Sequence, residues 1–474
     1  MHELYIRWEY HFDIETGTTG IHRPVFPGGR EGLLPGDRAG LKRIYMRKIT
    51  ALLLVLVFGV PMTARAEDLI RKGEVLNLQR CVEIAVKNHP NVVAALSTLQ
   101  ATQARIGQAR ANYYPQINWS SGYSRINPIS VASVKVPGST DSYDQYTSSL
   151  SLSQNIFDFG KTASQVGIQT LSTESSRYDL ESVSVQLVYA VKQAYYIQLQ
   201  AMKNRDVARE SVRQFQQHLG QAKAFFELGI RPKFDVTKAE LDLSNAKLNL
   251  LKADNALQTA RITLNNALGV PGAPDYGIED NLGVRDGGTG FEQALAGAYE
   301  RRPDLRSLAA KREAAQQSIE LAKKGYYPLL SGIAAYQWSG RDFPLDREWT
   351  VGATLAFPLF TGLSTKYQVE EARSNLGAFK ANEEALRQGI RLEVEQAWLA
   401  LRETRERIDL AELTVRQADE NYRLAEGRYA AGVGNPIEVT DALVALGNAK
   451  NAHTQALYDY KVAQAGMEKA MGVK

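Results

Sequence analysis

Tyr113-Tyr114-Pro115-Gln116-Ile117-Asn118-Trp119-Ser120-Ser121-Gly122-Tyr123-Ser124 is the stretch that decides the fold. A helical run stops at its proline, because the residue before a proline resists the helical region. Beyond it Ile117, Trp119 and Tyr123 alternate with Gln116, Asn118, Ser120 and Ser124, which is the period of a strand. The same opening returns 213 residues later as Tyr326-Tyr327-Pro328, and Pro90 returns as Pro303. Farther on, Gly229, Val236-Thr237, Asn245-Ala246-Lys247 and Gly269-Val270 return as Gly432, Val439-Thr440, Asn448-Ala449-Lys450 and Gly472-Val473, each 203 away. Gly160 answers Gly362 at 202, so the spacing shortens by about ten residues in one place, between Pro115 and Gly160. A self-similar unit of about 200 residues is a duplicated half-protein.

Both copies follow one order, the first over 67–270 and the second over 291–474, with a Gly-, Pro- and Asp-rich linker at 271–290. A short helix (76–87, 291–301) breaks at His89-Pro90 or Arg302-Pro303, and a second helix runs to the Tyr-Tyr-Pro sequence. Two strands follow, at 116–125 and 146–157 in one copy and at 330–339 and 349–360 in the other. Then come proline-free helical stretches from 160 to 228 and from 361 to 431. Each would span roughly 100 Å at the α-helical rise. Leu187, Val191, Ala194 and Tyr195 form a narrow apolar seam in the first, answered by Val394, Ala397 and Trp398 in the second. Narrow seams with wide polar faces suit coiled-coil packing. A last helix returns along each long one after a glycine turn, with hairpin tips at 229–235 and 432–438.

The strand segments carry the functional signal. Tyr146, Leu150, Leu152 and Ile156 alternate with Ser149, Ser151, Ser153 and Asn155, and Trp349, Val351, Ala353, Leu355 and Phe357 alternate with small or polar residues. Uncharged alternating segments of about ten residues with aromatic ends fit membrane β-strands. A membrane sheet must close, since an open edge leaves backbone groups unsatisfied in lipid. The smallest single-chain barrels need about eight strands, and this chain offers four, so it must share a barrel with copies of itself.

Export fits the N-terminus. Met46-Arg47-Lys48, the apolar run Ala51 to Val60 and Ala64-Arg65-Ala66 make a secretory signal over 46–66. Residues 1–45 then read as an upstream extension or a cytoplasmic leader. The formal charge of +4 falls to near +1 once Arg47, Lys48 and Arg65 leave. No basic stripe remains, which argues against nucleic acid as a partner. The single cysteine, Cys81, lies in an amphipathic helix and reads as a buried thiol. Gly160-Lys161-Thr162 looks like the end of a phosphate loop, yet Asn155 stands where the motif needs glycine. His89, His218 and His453 have no partner ligand at helical spacing, so no metal or cofactor is expected. Glu383-Glu384 and Asp419-Glu420 read as solvated helix faces, and no nucleophile–base pair is visible, so an enzyme is not expected.

The duplication, the Tyr-Tyr-Pro openings, the Phe159-Gly160 and Phe360-Thr361-Gly362 exits and the tips Leu228-Gly229-Ile230-Arg231-Pro232-Lys233-Phe234-Asp235-Val236 and Ala431-Gly432-Val433-Gly434-Asn435-Pro436-Ile437-Glu438-Val439 resemble the TolC-like outer-membrane efflux channel family. The resemblance covers nearly all of 67–474. It implies a mainly α protein with a small membrane β part: a homotrimer with one twelve-stranded β-barrel in outer-membrane lipid, continued by a long periplasmic α-helical barrel. It also implies a periplasmic adaptor (membrane fusion protein) and an inner-membrane RND, ABC or MFS transporter as partners, in efflux or type I secretion. The family's aperture acids fall on Glu438 and Asp441, with Asp235 in the first hairpin, and its closing tyrosine on Tyr429. Its tip arginine is replaced by Gly434. For Asp235, residue type alone favours a plainer role, an acid in the first turn of a helix. Gly229, Ile230, Arg231, Gly432, Val433 and Gly434 are the expected adaptor contacts. The alternative is a periplasmic coiled-coil scaffold or adaptor without a pore, which has no use for four strands tipped by tryptophan and tyrosine.

Overall fold

The computed structural model describes residues 69–127, 142–283 and 290–473. The signal at 46–66, residues 1–45 and most of the 127–145 loop lie outside the described residues. The first copy runs β1 (Val75–Leu76), α1 (Leu78–Asn88), α2 (Pro90–Arg110), β2 (Gln116–Ile126), β3 (Tyr143–Phe157), α3 (Lys161–Glu227), α4 (Lys233–Ala267) and β4 (Gly277–Ile278). The second runs α5 (Phe291–Arg301), α6 (Pro303–Lys323), β5 (Leu329–Gly340), β6 (Asp346–Ala356), α7 (Ser364–Ala430) and α8 (Pro436–Ala470).

Local chemistry sets these boundaries. The Asn77 side chain caps α1 by accepting the Arg80 N–H at 2.8 Å. Pro90 and Pro303 sit in the first turn of α2 and α6, where a missing N–H costs nothing. Gly160 and Gly362 take the left-handed conformation (φ 79° and 62°) that turns each strand exit into a long helix. At α3 the Asp158 carboxylate accepts the N–H groups of Gly160 at 2.9 Å and Thr162 at 2.7 Å. A carboxylate of the chain itself thus occupies the place that the phosphate-loop resemblance at Lys161 would have offered an anion.

The two long helices, α3 and α7, have 67 residues each, and their hairpin partners α4 and α8 have 35. At 1.5 Å per residue these are rods of about 100 Å and about 50 Å. Each returning helix therefore covers about half of its long partner, and α2 or α6 packs along the other part. Where α1 crosses α3, Cys81, Ile84, Ala85, Leu187, Val191, Tyr195 and Leu264 make a dry core. The second copy rebuilds it, with Ala294, Ala298, Ile390, Val394 and Met467 at the equivalent places. Burial pushes the Cys81 thiol up to about 12, which makes it inert. The linker is tied in: β1 and β4 pair in parallel, and the Tyr195 hydroxyl donates to Glu279 O at 2.7 Å. Glu383 departs from the solvated reading, being nearly buried and held by Arg312 at 2.8 Å and Arg387 at 3.1 Å.

The four long strands form one antiparallel sheet in the order β2-β3-β5-β6. Its register lines up Trp119, Leu150, Tyr336 and Trp349 across the sheet on one face, and Ser120, Ser149, Gln337 and Glu348 on the other. β6 begins at Asp346 and stops at Ala356, earlier at both ends than the 349–360 alternation suggests. Pro358 cannot donate to a ladder, which accounts for the early stop. The strands also extend into charged residues, with Arg125 opposite Asp144 and Asp346, Arg347 and Glu348 at the start of β6. Phe157, Phe159 and Tyr327 stack where strands meet helices, at centroid separations of 4.6 and 5.6 Å. That is the position of an interfacial aromatic girdle.

Candidate functional site: the hairpin tips

Both helical hairpins reverse at a glycine in the left-handed conformation, Gly229 (φ 74°) and Gly432 (φ 79°). The turns share a backbone pattern. Ile230 and Arg231 donate to Phe225 O at 2.9 and 3.3 Å, and Val433 and Gly434 donate to Arg428 O at 3.1 and 2.9 Å. Leu228, Ile230, Phe234, Val433 and Ile437 all stand exposed around the two turns.

Just above the turns the hairpins pack on each other through Phe215, Leu243, Ala246, Ala425, Tyr429, Val439 and Leu443. Tyr429 is the centre of this cluster and is wholly buried, with Phe225 edge-on at 5.5 Å and His218 at 5.1 Å. Asp235 is also buried, at 4 % exposure, although it lies in the first turn of α4. Among the described residues, His218 Nδ1, Asp235 Oδ2 and Tyr429 Oη find no hydrogen-bond partner in this pocket. Beside them the buried Asp242 accepts from Lys238 Nζ at 2.5 Å and from the Thr440 hydroxyl at 2.9 Å, which links the two hairpins. Burial is the main reason that the His218 imidazole titrates below its ordinary value; Asp242, Asp235 and Glu426 oppose it and Lys238 adds to it. Burial likewise raises the Tyr429 hydroxyl, helped by Asp235 and opposed by Arg231.

The sequence-derived residues thus fall into two groups. Tyr429 and Asp235 lie inside the chain, between the hairpins, whereas Glu438 and Asp441 are exposed on α8. Glu438 has Arg428 Nε at 3.6 Å. Arg231 turns inward: Nη2 donates to Gly432 O at 3.0 Å and Gly434 O at 2.7 Å, and the guanidinium lies 5.6 Å from the Tyr429 ring centre. His218, Asp242 and Thr440 carry no motif that sequence reasoning could seize on. His218 and Asp242 come together as the first hairpin folds, and Tyr429 and Thr440 complete the pocket only when the second hairpin packs on it.

Comparison with known proteins agrees with this architecture. The profile of the outer membrane efflux protein family matches residues 81–270 and 294–473, one stretch in each repeat. Outer membrane protein TolC of Vibrio cholerae is 22 % identical over 411 residues, covering 84 % of this chain and 90 % of that one. Alkaline protease secretion protein AprF of Pseudomonas aeruginosa is 24 % identical over 439 residues, covering 89 % of each. Among solved structures, CusC superposes with a TM-score of 0.73 at 19 % identity, over 84 % of this chain and 92 % of its own. The chain belongs to the outer membrane efflux protein family, as a TolC-like channel of the Gram-negative outer membrane with a large periplasmic part.

Proposed function

We propose that copies of the chain close head to tail into a homotrimeric duct that passes cargo out of the periplasm without chemistry of its own. The observation that carries this reading is a repeat left open at both ends. Inside the chain β3 pairs with β5, while among the described residues β2 and β6 are the edges of the sheet. The helices have the same asymmetry, since α6 packs on both α3 and α7 whereas α2 packs on α3. The missing equivalents are β2 of the next copy on β6 and its α2 on α7. Exposed Val93 and Leu96 on α2, and Tyr367 on α7, supply apolar surface for that contact. Such a head-to-tail interface forms a ring wherever its rotation closes. Three copies give the twelve strands that the family resemblance implies.

At the far end, three copies of Glu438 and Asp441 would line the periplasmic aperture, where a ring of carboxylates attracts cations. The exposed apolar residues around Gly229 and Gly432, with Ile230 and Val433 foremost, are the docking surface for a periplasmic adaptor, which connects the duct to an inner-membrane pump. Cross-linking in outer-membrane fractions tests the assembly. A trimer that extracts only with detergent is the expected product, and recovery as a soluble periplasmic monomer would refute it.

A further inference from the structure

The two turns copy each other in backbone and differ in side chain. Positions 231 and 434 are equivalent, 203 residues apart, and their N–H groups fold back on equivalent helical carbonyls, Phe225 O and Arg428 O. At Gly434 a Cβ would stand 2.7 Å from Tyr429 N and 2.8 Å from the carbonyl carbon of Arg428, closer than real atoms come. The second turn therefore curls too tightly to carry a side chain there. The first turn supplies one instead, and it reaches across to the carbonyls of Gly432 and Gly434. Those oxygens lie just past the C-terminus of α7, where the helix dipole favours a cation. A charged donor in a half-buried site makes a stronger bond than a neutral one, and the planar guanidinium can hold two oxygens while resting against the Tyr429 ring. Of the neighbouring cations, Arg428 is engaged with Glu438 and Lys238 with Asp242.

We propose that Arg231 is a latch between the hairpins, a positioning residue that locks the second turn against the first and so holds Glu438 and Asp441 in the narrow setting of the aperture. The latch itself is a property of one chain, and its gating consequence rests on the channel reading above. It assigns to the first repeat, in this chain, a tip arginine whose counterpart in the second repeat is glycine.

The test uses the full chain in lipid nanodiscs and planar bilayers, comparing it with Arg231→Ala and Arg231→Lys. Amide exchange at residues 431–435 should quicken roughly tenfold in Arg231→Ala, the effect of losing about one charged hydrogen bond. Arg231→Lys, which keeps the charge without the fork, should fall between. Exchange along α3 should not change, and mean single-channel conductance should rise in the same order. Unchanged exchange at the second turn in both variants overturns the latch. Quickened exchange with the parent's conductance overturns the gating role. Quickened exchange in chains that insert yet pass no current upholds the latch and overturns the channel reading.

Discussion

Asp235 and Glu438 occupy the same position of the two repeats, 203 residues apart, yet one is 4 % exposed between the hairpins and the other is open to solvent. The duplication has placed one acid where it can shape a pocket and the other where it can face a pore.

That difference separates the acids in an electrical measurement. Glu438→Ala combined with Asp441→Ala should raise single-channel conductance and weaken cation preference, since it removes the exposed charges proposed for the aperture. Asp235→Asn should leave ion preference as it is, because a buried carboxylate contributes little to a solvated lumen. Stability should hold within about 0.5 kcal/mol in the double variant, as befits surface substitutions. Equal selectivity in the double variant and the parent would remove these acids from the aperture.

The two turn glycines should fail in different ways. Gly229→Ala meets open space but keeps a left-handed φ of 74°, a strain of about 1–2 kcal/mol. Gly434→Ala drives a methyl group into the backbone of Arg428 and Tyr429, and overpacking of that kind costs about 1–3 kcal/mol. Since the Gly434 carbonyl is also an acceptor for Arg231, its displacement should loosen both turns. Limited proteolysis checks this: Gly434→Ala should open cleavage at both tips, and Gly229→Ala chiefly at the first.

Much of this architecture was legible because it repeats. Tyr114-Pro115 and Tyr327-Pro328 announce the strands, the proline-free runs announce the rods, and Gly229 and Gly432 announce the turns. Alternation also places Trp119 and Trp349 on one face of the sheet, which the register bears out. What stayed hidden depends on contacts between elements far apart in the chain. Arg231 reads from sequence as one more exposed tip residue, since nothing local says that its side chain turns toward Gly434. Glu383 reads as solvent-facing because its partner Arg312 comes from a helix 71 residues away. The β1–β4 pair was invisible too, for two-residue strands have no period to detect.

The Tyr195 hydroxyl tests how firmly the linker is held. It donates to Glu279 O at 2.7 Å from within the core of the first repeat, with Leu76 O also near at 3.3 Å. Tyr195→Phe keeps the ring and removes the donor, leaving a carbonyl short of a partner, at a cost of about 1–3 kcal/mol. Amide exchange at 277–282 should rise while that of α3 stays slow. An unchanged linker would mean that β1 and β4 hold it alone.

His218 gives the tip a pH dependence whose sign follows from burial. The imidazole is 4 % exposed with Nδ1 unpaired, and its folded value lies below the ordinary 6.5. The folded state thus prefers the neutral ring, and the unfolded tip takes up a proton first as pH falls. This contribution to stability is complete above about 6.5 and is lost as pH drops through the lowered folded value. Asp235, Asp242 and Glu426 face the ring and temper the loss, whereas Lys238 deepens it. Protection factors of the amides around residues 225–236, which allow for the intrinsic slowing of exchange in acid, should therefore fall on acidification from about pH 8 to about pH 5. His218→Gln, which cannot titrate, should flatten that response while keeping a polar group in the pocket. An equal acid response in parent and variant would assign the effect to the carboxylates instead.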